Sequence, residues 1–153
     1  MRLLDRIFQR EEMDGDGRCA TYLVRWTLLK LWSGIGVYLH HFVGDDWSLD
    51  LHDHPKRFIS IGLQGQYIEW TPTPIDEVIG MGPQVGRVYR APWIRSFPAT
   101  HVHRITLLDS KPCWTLVIVL RTSRPWGFWH RGEWIPWRSY VNSETATRMK
   151  SCP

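Results

Sequence analysis

The run CWTLVIVLR at residues 113–121 is rich in β-branched and aromatic side chains and sits between a proline and a Thr-Ser-Arg-Pro turn. Comparable runs of five to ten residues, alternating or continuously apolar and broken by Gly, Pro and Asp, recur from residue 20 onward. That pattern specifies strands, because side chains two apart share a face of a pleated backbone while a helix needs a 3.6-residue period. Strands are expected over 20–31, 35–43, 57–63, 66–71, 86–90, 101–108 and 114–121, with short ones at 126–130 and 134–137. No long helical period interrupts them. Such a set fits a sandwich or a closed barrel, and closure would remove the edges along which strands aggregate.

At 153 residues the chain has the length of one domain, enough to bury a core without disulfide staples. Residues 1–10 (MRLLDRIFQR) interleave charges with apolar residues, which points to a short amphipathic helix and not to the apolar centre of a signal peptide. The expected layout is a helix and polar loop over 1–19, a β domain over 20–140 and a mobile tail over 141–153. No apolar run approaches the roughly 18 residues of a membrane span. Cys19, Cys113 and Cys152 are too far apart for a zinc knuckle and suit a reducing compartment, so a cytoplasmic location is expected.

The formal net charge is +4, and lysine occurs only at positions 30, 56, 111 and 150, so arginine carries most of the positive charge. The arginines are scattered and form no basic run, which favours a small anionic ligand over a polynucleotide. Arg90 and Arg104, with Tyr67, are candidates for contacting such a ligand at a barrel mouth. The ten tryptophans include four in the stretch 126–137, an aromatic cluster of the kind that closes a barrel.

The segment LHDHPKRF places His52 and His54 two apart ahead of an apolar run, so an extended backbone presents both rings on one face. An isolated His-x-His is more often a polar strand end than a metal site. Here a second one, His101 and His103, follows Pro98 at the start of a later strand, and two separated histidine clusters can assemble a three-histidine site. By parity either member of the second pair can point inward. His40 shares parity with Tyr38 and Phe42 and can line a pocket, whereas Asp53 is better suited to holding a loop backbone. Glu69 is the nearest acid after the first pair: a solvated strand residue, a general base or a displaced fourth ligand.

These residues resemble the cupin superfamily. Gly44 through His52-Asp53-His54 to Gly65 is similar to the first cupin motif, and Pro98 to His103 to the second. The runs LVRWTLL, YLHHF, LHDHPKRF, GQYIEW, HRITL, PCWTLVI, WGF and GEWIPW, over about residues 22–140, resemble a group of small cupin-like proteins of bacteria and phages, most without an assigned activity. The resemblance implies an all-β, single-domain jelly-roll barrel and one divalent metal held by His52, His54 and His103, with His101 beside them. Phe58 stands where the family's glutamate ligand falls, and Thr100 where the second motif has glycine. A three-histidine set resembles the site of thiol dioxygenases among cupins, and suits Fe, Ni, Zn or Cu.

Two functions follow as expectations. One is a metalloenzyme, dioxygenase-like or using other metal-assisted chemistry, acting on a small anionic substrate with Glu69 as its catalytic acid or base. The other is a non-catalytic module that captures a small anionic or nucleotide-like ligand, on the pattern of a phage protein that sequesters or degrades a host signal. Neither needs a membrane or a polynucleotide, and both leave a homodimer open.

Overall fold

The computed structural model describes residues 9–14, 20–73, 79, 81–122 and 124–142. In chain order the strands are β1 (Gln9–Met13), β2 (Leu23–Lys30), β3 (Gly36–Phe42), β4 (Leu51–His52), β5 (Lys56–Gln64) and β6 (Gln66–Pro72). There follow β7 (Gln84–Arg90), β8 (Trp93–Phe97), β9 (Arg104–Leu107), β10 (Cys113–Thr122), β11 (Gly127–His130), β12 (Glu133–Pro136) and one short helix, α1 (Trp137–Val141). All nine expected strands are present with shifted ends. The alternation had not marked β1, β4 or β8. The helix expected over 1–10 lies outside the described residues except for Gln9 and Arg10, which are strand residues paired with Thr27 and Trp26. The tail expected to be mobile lies outside them beyond Asn142.

The strands make three separate antiparallel sheets, in the orders β1-β2-β3-β10-β5-β8, β12-β11-β4 and β7-β6-β9. The closed jelly-roll barrel expected from the sequence is therefore not formed: each order begins and ends on an edge strand. The physical reason lies in β4 and β9, two and four residues long, between which runs an isolated bridge from His52 to His103, the residue ahead of β9, too little for a continuous ladder. Periodicity reports which face of a strand is apolar. It carries no information about whether sheet edges meet.

Between the large sheet and the β7-β6-β9 sheet, Leu23, Phe42 and Cys113 pack against Tyr67, Ile105 and Leu107. Each such side chain contributes about 1.5–3 kcal/mol when fully buried. A second cluster of Trp47, Phe128 and Tyr140 holds β11 and α1 together, and a third joins Phe58, Phe97 and Val117 on the large sheet. Cys113 is fully buried, and burial pushes its thiol up to about 11, as expected of a packing cysteine. At the β5–β6 turn Gly65 has φ +87°, and a Cβ there would lie 2.5 Å from the Pro112 carbonyl oxygen, so the turn requires glycine.

Asp53, between the paired histidines, is 1% exposed. Its Oδ1 accepts the Gly127 amide at 2.8 Å, and its Oδ2 accepts Trp134 Nε1 at 3.0 Å and Arg124 Nη1 at 2.5 Å. The carboxylate thus ties the β4–β5 connection to β11, β12 and the segment before them. Asp53→Ala leaves the buried Gly127 amide and the half-buried Trp134 N–H without an acceptor, and the partly exposed Arg124 adds less because water screens it. A loss of about 2–4 kcal/mol in urea unfolding is expected. A loss below about 1 kcal/mol would mean that the loop is held by other contacts.

Candidate metal centre

His52 ends β4, and its backbone N–H and C=O exchange hydrogen bonds with His103 at 2.9 and 3.0 Å. His54 follows in the connection to β5, where its amide donates to the Ala99 carbonyl at 3.0 Å. The histidine pair therefore straddles the end of a strand. Ring centroids stand 5.2 Å apart for His52 and His54, 5.2 Å for His52 and His103, and 4.9 Å for His54 and His103. One ligating nitrogen from each lies within 4.8 Å of the others, so the three form a cluster able to chelate a divalent metal. The Nε2 atoms of His54 and His103 are 2.9 Å apart. Two nitrogens each about 2.0–2.1 Å from one ion, at nearly a right angle, have that separation. The residues present fit a metal.

A second grouping, Glu69 with His101 and His103, also has three donors within 4.8 Å. Its hydrogen bonds give it a different task. Glu69, on β6 and 2% exposed, receives His103 Nδ1 at 2.7 Å and His101 Nε2 at 2.9 Å on Oε1, and Arg95 Nη2 at 2.6 Å on Oε2. Burial alone would raise the Glu69 pKa. The bonds from His101, His103 and Arg95 outweigh it and hold the carboxyl well below its ordinary range. An ionised carboxylate only accepts, so His103 carries its proton on Nδ1 and presents the Nε2 lone pair to His54. By the same logic His101 Nε2 is a donor and is spent on Glu69. With a guanidinium on one oxygen and two N–H groups on the other, Glu69 is placed to orient His103. A carboxyl held so acidic is also a weak base at neutral pH.

The three histidines line a cavity of about 440 Å³ whose other walls come from the large sheet and the two smaller ones. Phe58, at the place of the family's glutamate, sets its ring 4.7 Å from that of His54 and stacks on Phe97, so a hydrophobic wall replaces a fourth ligand. Burial holds all three imidazoles below the ordinary 6.5, His103 at about 4 in spite of the opposing bond to Glu69. At neutral pH the rings are thus uncharged, each keeping one N–H and offering one lone pair, the form that binds metal.

Of the residues expected to contact a ligand, Tyr67 and His40 line the cavity. Tyr67 takes a 3.4 Å bond from Arg95 on its hydroxyl. The structure does not bring Arg90 or Arg104 there: Arg90 donates to Gln66 at 2.8 Å on the surface, and Arg104 to Gln84 at 2.7 Å. His101 touches Glu69 and is not part of the cavity wall. Glu69 is buried, which removes its reading as a solvated strand residue. Sequence reasoning did not single out Arg95. The signal was present in WIRSF, where Trp93, Arg95 and Phe97 alternate on one face and an arginine occupies an apolar phase.

No family model and no curated protein matches the sequence. Among solved structures, an uncharacterised Klebsiella pneumoniae protein with a double-stranded β-helix domain matches with TM-score 0.52 and 12% identity, over 84% of this chain and 94% of that one. Hydroxypropylphosphonic acid epoxidase from S. wedmorenis matches with TM-score 0.53 and 8% identity, over 78% of this chain and 58% of that one. The DMSP lyase DddQ from Ruegeria pomeroyi matches with TM-score 0.52 and 16% identity, over 73% of this chain and 55% of that one. The chain thus spans little more than half of either enzyme. At these identities the likeness is one of fold alone. Among the described residues no helix is long and apolar enough to cross a membrane.

Two predictions follow from the polar groups of the site. Glu69→Gln removes the charge that fixes the His103 tautomer, and metal affinity should fall about 10–100-fold with the fold intact, by competition with a chromophoric chelator. Unchanged affinity would mean that Glu69 does not set the orientation of His103. His40 is pushed down to about 3, first by burial and then by Arg25. The unfolded chain therefore takes up a proton near 6.5 that the folded chain refuses, so stability is full above 6.5 and declines as pH falls toward 3. His40→Phe should lessen that decline in urea titrations at pH 7 and pH 4. Parallel declines would show that His40 does not contribute.

Proposed function

We propose that the chain is a metal-dependent enzyme that holds one divalent transition metal on His52, His54 and His103 and acts on a small anionic substrate. The observation that carries this reading is the convergence of three neutral imidazoles on the wall of one cavity. A metal bound there would supply a Lewis acid or a redox centre with coordination positions left for water, dioxygen or substrate. Iron, nickel, zinc and copper all suit neutral imidazoles.

The chain's own residues do the rest. Arg95 holds Glu69, Glu69 holds the Nδ1 proton of His103, and the remaining His103 nitrogen is aimed into the cavity. Phe58, Phe97 and Phe128 exclude water around the histidines and strengthen every electrostatic contact made there. The Tyr67 hydroxyl is a donor facing the same space, and burial raises its pKa above the ordinary 10, so it keeps its proton at neutral pH. An acidic substrate is supported by the positive charge of the chain and by one fold relative named for hydroxypropylphosphonic acid.

The chain should take up close to one metal per molecule when incubated with Fe(II), Ni(II) or Zn(II), measured by elemental analysis after gel filtration. His52→Ala, His54→Ala and His103→Ala should each abolish it, while His41→Ala should leave it. A wild-type chain that stays metal-free removes the reading. With metal bound, pools of thiols, keto acids, nucleotides and phosphonates should yield a product by mass spectrometry that His103→Ala does not form. Recovery of a bound but unchanged compound would instead favour a capture module.

A further inference from the structure

The large sheet carries a polar row at some distance from the histidine cluster. Cross-strand register aligns Arg25 with His40, His40 with Thr115, and Thr115 with Gly62, across β2, β3, β10 and β5. Arg25, His40 and Thr115 line the cavity. Thr115 is 1% exposed, and its Oγ1 and the buried Nε2 of His40 have no hydrogen-bond partner in the protein. Arg25 is ion-paired with Glu11, to which it donates through Nε at 3.0 Å and also through Nη2, and it lies over the Tyr38 ring. Gly62 ends the row without a side chain, and the Trp93 ring fills the space its Cβ would take.

Two buried, unpaired polar atoms side by side are costly, because each has given up water without a replacement. Their apolar neighbours show that the sheet accommodates carbon in the same positions: Cys113 and Val117 flank Thr115 on the same face of β10. The row also stands apart from the metal cluster. Phe58, whose ring touches His54, is four residues along β5 from Gly62, roughly 13 Å at the rise of a strand. Val117 and Ser60 line the interval.

We propose that His40 and Thr115, beside Arg25, form a second subsite that receives the acceptor oxygens of a carboxylate, phosphonate or phosphate at the far end of an elongated substrate. The Thr115 hydroxyl and the His40 N–H donate to the oxyanion, and a charged acceptor makes stronger hydrogen bonds with them than a neutral one. The substrate is then a molecule with two anionic or metal-seeking ends joined by a mostly apolar stem. This deepens the metalloenzyme reading and rests on it for the other end of the substrate.

Suberate and octanoate, of equal length with and without a second carboxylate, are the probes. By calorimetry the zinc-loaded chain should bind suberate about tenfold tighter than octanoate, the effect of one charge-assisted hydrogen bond. Thr115→Val and His40→Phe should each lose that preference while keeping octanoate affinity and one zinc per chain. A preference that persists in both variants overturns the subsite. A second arm needs no metal. Methylphosphonate should raise the melting temperature of the chelator-treated wild type and not that of Thr115→Val, so a failure to bind zinc sinks the metal reading while the subsite is still judged. Ligand-free Thr115→Val should melt no lower than wild type, since it loses an unpaired hydroxyl and keeps its shape. A lower melting temperature would make that hydroxyl a structural bond and overturn the proposal.

Discussion

The site depends on one pair of backbone hydrogen bonds. His52 and His103, 51 positions apart in the sequence, exchange N–H···O=C bonds at 2.9 and 3.0 Å and are thereby fixed opposite each other. Such closely bonded antiparallel partners have Cα atoms about 5.5 Å apart, which brings their side chains to the same place on the sheet surface. His54 joins because its own amide is tied to Ala99, just upstream of His101 and His103. Around this bridge the β12-β11-β4 sheet meets the β7-β6-β9 sheet, so the contact that assembles the donors also joins two sheets. Asp53, in the same connection, anchors the other side through Gly127, Trp134 and Arg124.

Charge is then distributed so that the donors stay neutral. Burial disfavours an imidazolium at all three positions, and the carboxylate bonded to His103, Glu69, is matched by Arg95. An isolated buried carboxylate would be neutralised by uptake of a proton. Here the guanidinium makes ionised Glu69 the stable form, and ionised Glu69 in turn dictates which nitrogen of His103 carries hydrogen. Phe58 completes the arrangement by occupying with a ring the position from which a carboxylate would otherwise approach. The result is a donor set of one kind, three imidazoles, with hydrophobic surface on the open side.

The cavity combines features that stability alone would not select. Its walls are largely apolar, yet they carry the unpaired Thr115 hydroxyl and His40 nitrogen on adjacent strands. Unpaired buried groups cost about 1–3 kcal/mol each, a large part of the 5–15 kcal/mol that separates folded from unfolded states. Proteins concentrate such departures where they bind or react. The remaining core, with Leu23, Phe42, Tyr67, Ile105 and Leu107 closely packed, supplies the stability that offsets them.

The sequence by itself determined the strands and their faces. A two-residue period in CWTLVIVLR, GQYIEW and HRITL reads directly as an inward and an outward side, and it put His52 with His54 on one face, left His101 and His103 as equal inward candidates and let His40 line a pocket. It also exposed the departure at Phe58, since a motif position is a matter of counting. What it could not carry was adjacency. Whether Arg95 meets Glu69, whether Arg90 and Arg104 reach the cavity, and whether the sheets close into a barrel all depend on which strands become neighbours and in what register. Those are decided by contacts between residues far apart in the chain, formed only when the whole core is packed. β1, β4 and β8 were missed for a related reason: their residues are short, polar or aromatic runs whose extended form is imposed by the neighbouring strand and not by their own alternation.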